Sequence, residues 1–107
     1  MNDTITIGDT TIRAHRAESR LAQARGHMFR LEPPDWALVF ERDDVQQWAI
    51  HMLFVPFALE VAFVVDGVVD RVAELAPWTG AASGEAETIV EVPAGMIDAE
   101  PGMEVAL

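Results

Sequence analysis

The chain has 107 residues, half of them hydrophobic, with 18 acidic against 7 basic side chains and a formal net charge of -11. That length supports one packed core, hence one domain over residues 1–107. Every basic residue is Arg, and Lys and Cys are both absent, which excludes phosphate-loop NTPases, Schiff-base and pyridoxal enzymes, disulfide frameworks, thiolate metal sites and cysteine nucleophiles.

Thr4-Ile5-Thr6-Ile7, Gly8-Asp9 and Thr10-Thr11-Ile12-Arg13 read in succession as strand, two-residue turn and strand. With Gly8 and Asp9 as the loop, Ile5 falls opposite Ile12 and Ile7 opposite Thr10, so the isoleucines share a face. Residues 17–25 are good helix formers and Gly26 follows where a left-handed cap belongs, which predicts one short N-terminal helix. Glu32-Pro33-Pro34-Asp35 predicts a loop, residues 36–40 a strand and residues 41–44 a charged turn. Residues 45–52 and 58–65 predict strands interrupted at Pro56, and Asp66-Gly67 predicts a hairpin whose returning strand is 68–74. Residues 77–84 predict a loop, 87–92 a strand, Pro93-Ala94-Gly95 a turn and 103–107 a terminal strand. Several short strands and one short helix predict a mainly β fold, either an antiparallel sandwich or a partly open barrel.

The charge balance also bears on partners, because binding a phosphate backbone depends on Lys and Arg releasing condensed counterions. No nucleic-acid partner is expected. The most apolar run, residues 49–59, contains His51 and Pro56 and falls short of the roughly 20 residues that span a bilayer. No membrane association is expected, and the first residues lack the pattern of a signal peptide, so the expected location is cytoplasmic. Acid excess without Lys fits a protein adapted to molar salt, where screening quiets self-repulsion; a GC-rich genome that favours Arg and Ala codons is the alternative source.

His15, His27 and His51 are too far apart for a helical zinc pair, and Ser19 and Ser83 lie in no nucleophile elbow. Asp43-Asp44 and the Asp98/Glu100 pair lack the spacing of a calcium loop, and the carboxylates read mainly as solvated surface. Trp36 and Trp48 fall in strand patterns and read as core. Trp78 follows Pro77 in a loop, where it either plugs one end of the fold or stacks on a ligand.

Gly26-His27-Met28-Phe29-Arg30, the run from His51 to Phe63, Pro77-Trp78 and Glu91-Val92-Pro93-Ala94-Gly95 arrive in that order. Together they resemble the bacterial and archaeal family called domain of unknown function 192, over most of the chain from about Ala17 onward. Against the family's usual motifs, His27 stands in place of Leu, Ala58 of Pro, Glu60 of Asp, and Met103 of Asp. The resemblance implies a small, mainly β sandwich with no established activity.

The resulting expectation is a non-catalytic module that binds an unknown small molecule or protein, without a cofactor; the alternative is a small metal-assisted or carboxylate-based hydrolase. Arg30, His51, Glu60 and Trp78 are the candidate binding residues, and no catalytic or metal-ligating residue is assigned. Arg30 and Glu60 both adjoin apolar sequence, where an ionised group needs a partner, so an ion pair between them is also expected.

Overall fold

The computed structural model describes residues 3–17 and 30–107. The helix expected over residues 17–25 and its Gly26 cap lie outside them, apart from Ala17. Ala17 itself continues a β-ladder, its N–H donating to the Val39 carbonyl at 2.9 Å, and no helix occurs among the described residues.

Strands β1 (Asp3–Ile7), β2 (Thr10–Arg16), β3 (Ala37–His51), β4 (Leu59–Val65), β5 (Val68–Leu75), β6 (Ala81–Pro93) and β7 (Val105–Ala106) form one sheet in the order β5-β4-β6-β3-β2-β1-β7. The sheet curls into a half-barrel, so the partly open barrel is the architecture and the two-sheet sandwich is not. The C-terminal segment draws the sheet's ends together. Its residues pair with β1 on one side, and on the other Val105 N–H donates to Gly67 O and Val69 N–H to Met103 O, each at 2.8 Å.

The first hairpin has the expected register, with Ile5 opposite Ile12 and Ile7 opposite Thr10. The second turns at Asp66 and Gly67, whose φ values of 53° and 74° are those of a primed turn, for which Asp-Gly is well suited. Between β2 and β3 the pairing is parallel, which departs from the antiparallel expectation. A parallel neighbour requires a long crossover, and the chain from residue 17 to 36 supplies it.

The charged turn expected at 41–44 is a bulge inside a single long strand. Pairing of β3 with β6 jumps from Glu41–Thr88 to Gln46–Ala86, so residues 42–45 loop out opposite Glu87 while both flanks stay on one partner. The expected loop at 77–84 is shorter, because residues 81–84 are the first part of β6, paired with residues 48–51. Small side chains there conceal the strand pattern.

Both faces of the sheet are packed. Ile5 and Ile7 of β1 share a cluster with Val69 of β5, from opposite ends of the sheet order, which marks this as the concave face; Val39, Ala62, Val64, Val90 and Val92 complete its floor. Leu38, Phe40, Val61, Phe63 and Ile89 alternate to the convex face, where Met52, Val55 and Leu75 join them. If the C-terminal segment holds the curl, Val105→Pro, which deletes the N–H bonded to Gly67, lowers stability by about 1–3 kcal/mol. Urea melts measure this, and an unchanged midpoint would show the segment to be merely appended.

Candidate functional site

Two loops meet where β3 ends and β6 begins. Met52 N–H donates to Gly80 O and Trp78 N–H to Val55 O, both at 3.0 Å, and these bonds lash residues 52–55 to residues 78–80. Gly80 is required by the tight turn of its own loop, where its N–H donates to the Ala76 carbonyl and a Cβ would lie 2.7 Å from the Ala76 nitrogen. His51 closes its own loop by accepting the Leu53 N–H on Nδ1 at 3.1 Å, which leaves Nε2 to carry the proton of the neutral ring. Beside it, Ala49, Ala81 and Ser83 help line a shallow groove of about 410 Å³.

This end displays apolar side chains on fixed backbone. Leu53, Phe54 and Trp78 are 53%, 43% and 57% exposed. Phe54 and Trp78 also adopt φ of 59° and 67°, a left-handed conformation that costs a residue with a Cβ roughly 1–2 kcal/mol and that glycine adopts freely. Trp78 is thus largely exposed at this end of the fold rather than buried in it.

The structure divides the four candidate residues. His51 and Trp78 belong to this loop pair. Arg30 lies on the convex face, its guanidinium 4.7 Å from the centre of the Trp36 ring, which in turn meets His15 at 4.2 Å. Glu60 alternates with Leu59 and Val61, so it faces the concave side, where its carboxylate accepts the Ala99 N–H at 3.1 Å. Burial raises the Glu60 pKa, and Asp98 and Glu74 push it the same way against the lowering effect of the Ala99 bond. The expected Arg30–Glu60 ion pair is therefore not formed, because the sheet stands between them. Ion pairs among the described residues are Arg13–Asp35 at 2.5 Å, Arg16–Asp3 at 3.1 Å and Arg16–Glu41. No group of three or more His, Cys, Asp or Glu among those residues is placed to hold a metal ion, and no helix there is long and apolar enough to cross a membrane.

The residue that sequence reasoning missed is Glu91. It is 4% exposed on the convex face, flanked in register by Leu38 of β3 and Val61 of β4. Burial pushes its carboxyl up to about 8, so at neutral pH it is mostly the uncharged acid. The available signal was Ile89-Val90-Glu91-Val92, a carboxylate inside a β-branched run in a strand with two packed faces.

A raised native pKa means that the folded chain holds a proton which the unfolded chain releases. The contribution is complete below the ordinary carboxylate pKa and is lost as pH rises toward 8. Glu91→Gln, neutral at every pH, therefore gains on the wild type by on the order of 4 kcal/mol between pH 5 and 9. Urea midpoints at each pH measure the difference, and a pH-independent gap contradicts burial of the carboxyl.

No curated protein matches the chain. Among solved structures, a protein of unknown function from Novosphingobium aromaticivorans superposes with a TM-score of 0.86 at 23% identity, covering 99% of this chain and 85% of that one. A putative transcription regulator from Sinorhizobium meliloti superposes with a TM-score of 0.87 at 16% identity, covering 99% and 93%. These likenesses establish the fold. The model of the family domain of unknown function 192, described as Uncharacterized ACR, COG1430, matches residues 3–107, and the chain belongs to that family.

Proposed function

We propose that this protein is a non-catalytic binding module whose site is the loop pair carrying His51, Leu53, Phe54 and Trp78, and whose ligand presents an apolar group, on a small molecule or a partner protein. One observation carries the reading: Trp78, more than half exposed, occupies left-handed backbone on a loop hydrogen-bonded to its neighbour, a conformation that glycine adopts without strain. Its ring is a preformed, exposed apolar contact. Ordering costs little on binding because the backbone is already tied.

A second part of the proposal concerns surroundings. A net charge of -11 opposes contact with nucleic acid, although one structural neighbour is titled a putative transcription regulator. The same charge suits a cytoplasm of high salt, in which the acidic surface is screened.

Two outcomes follow. Trp78→Gly relieves the left-handed strain and leaves stability unchanged or raised by about 1 kcal/mol, while a ligand found by thermal-shift screening, which at a hundred times its Kd adds about 2.7 kcal/mol, no longer shifts the variant. A loss above about 2 kcal/mol in the variant would mark Trp78 as structural, and a screen answered only by divalent metals would favour the hydrolase. The urea midpoint also rises between about 0.1 and 2 M KCl; a flat response would end the salt-adapted reading.

A further inference from the structure

Where β3 runs past its bulge, residues 46–51 pair with β6 on one side, and no strand among the described residues pairs with their other side. The phase of that ladder is fixed at two points. Met52 N–H donates to Gly80 O at 3.0 Å, so Met52, Ile50, Trp48 and Gln46 are the residues that exchange bonds with β6, and those between them, Gln47, Ala49 and His51, turn their N–H and C=O groups away from it. Ser83, the register partner of Ala49, shows the same phase, because its carbonyl points away from β3 and accepts from Arg71 Nη1. A row of backbone donors and acceptors therefore lines the outer edge of β3, on three residues that are all exposed.

Edges of this kind are ordinarily blunted by charge or by Pro. The far edge of β5 beyond Val69 carries Asp70, Arg71 and Glu74, that of β2 before Ala14 carries Arg13, and Arg71 caps the β6 side of the ribbon at Ser83. From Gln46 to His51 there is neither charge nor Pro. On the face of Gln47, Ala49 and His51, the short side chains of Ala49, Ala81 and Ser83 leave the groove of about 410 Å³ open beside the edge. Just before the edge, exposed Asp43 and Asp44 enter none of the ion pairs among the described residues. A net charge of -11 opposes a second copy here and favours a basic partner.

We propose that the β3 edge at residues 46–51 docks an extended, basic segment of a partner protein, which adds antiparallel to β3 as a further strand and exchanges backbone bonds with Gln47, Ala49 and His51. In such an added strand the backbone bonds supply affinity and alternate side chains supply selection. Antiparallel pairing is the more stable of the two directions. In that direction an apolar side chain opposite Ala49 lies over the groove, and Lys or Arg at the segment's C-terminal end falls beside Asp43 and Asp44. His51 belongs both to this edge and to the loop pair, but the bonds proposed here are to backbone and do not depend on Trp78.

The test titrates the full chain, in about 0.1 M KCl, with the end-blocked peptide Thr-Thr-Val-Thr-Val-Thr-Thr-Arg-Arg, followed by amide NMR. The Gln47, Ala49 and His51 amides shift saturably and exchange their hydrogens more slowly in the complex. Ala49→Pro deletes an N–H that faces away from β6, so the ladder is kept while binding weakens about tenfold or more. Gln47→Lys, which keeps the N–H and places a charge on the edge, weakens it too, as does Thr in place of both Arg in the peptide. Absence of a saturable shift, or equal binding by both variants, overturns the edge. Binding lost in Trp78→Gly but kept in Ala49→Pro also overturns it and leaves the loop pair as the site. Preference for the reversed peptide refutes the antiparallel direction, and self-association that Ala49→Pro abolishes gives the edge to a second copy instead.

Discussion

Strand β6 is paired along both edges, to β3 and to β4, between Thr88 and Glu91, and is buried on both faces from Thr88 to Pro93. Everything else in the molecule accommodates that dry strand. Its backbone polar groups are met by the two ladders, as burial requires, and its side chains must be apolar or uncharged on either face. Val90 and Val92 satisfy the concave side, whereas Glu91 on the convex side satisfies it by holding its proton. A sheet packed on both faces needs cover for each, and the curl that brings β1 and β5 to one cluster provides the concave cover from a single sheet.

The same constraint explains what was legible in the sequence. Both hairpins were, because their turns are local and their registers follow from turn chemistry: Gly8-Asp9 sets Ile5 against Ile12, and Asp66-Gly67 sets Val65 against Val68. The parallel β2–β3 pair was not, since nothing in either strand encodes a partner reached through twenty intervening residues, 17–36. Residues 41–44 read as a turn because charge marks solvent exposure, but charge does not say whether the chain reverses or merely loops out from one continuing ladder. Alternation likewise failed at Glu91, where period-two reasoning assumes one wet face.

Of the candidate residues, His51 and Trp78 lie on loops brought side by side where β3 pairs with β6. Arg30 and Glu60 were linked by charge and by apolar neighbours, which identify a group in need of a partner without identifying the partner. The sheet assigns them to opposite faces: Arg30 to Trp36 and Glu60 to the Ala99 amide. The conspicuous features then fall where β6 leaves its buried section. Beyond the bulge, the β3–β6 ribbon and the loops it joins carry exposed aromatic residues on left-handed backbone, supported by a rigid central strand.

The protonation state of Glu91 is the most direct measure of whether β6 is buried on both faces. A carbon-13 NMR titration that follows the Glu91 carboxyl carbon, assigned by comparison with Glu91→Gln, reads it without perturbing the fold. The account predicts a single transition near pH 8, with the acid form dominant at neutrality. Titration in the ordinary carboxylate range, around 4 to 5, would mean that water or a cation reaches the group, and the doubly packed strand from which the rest follows would be contradicted.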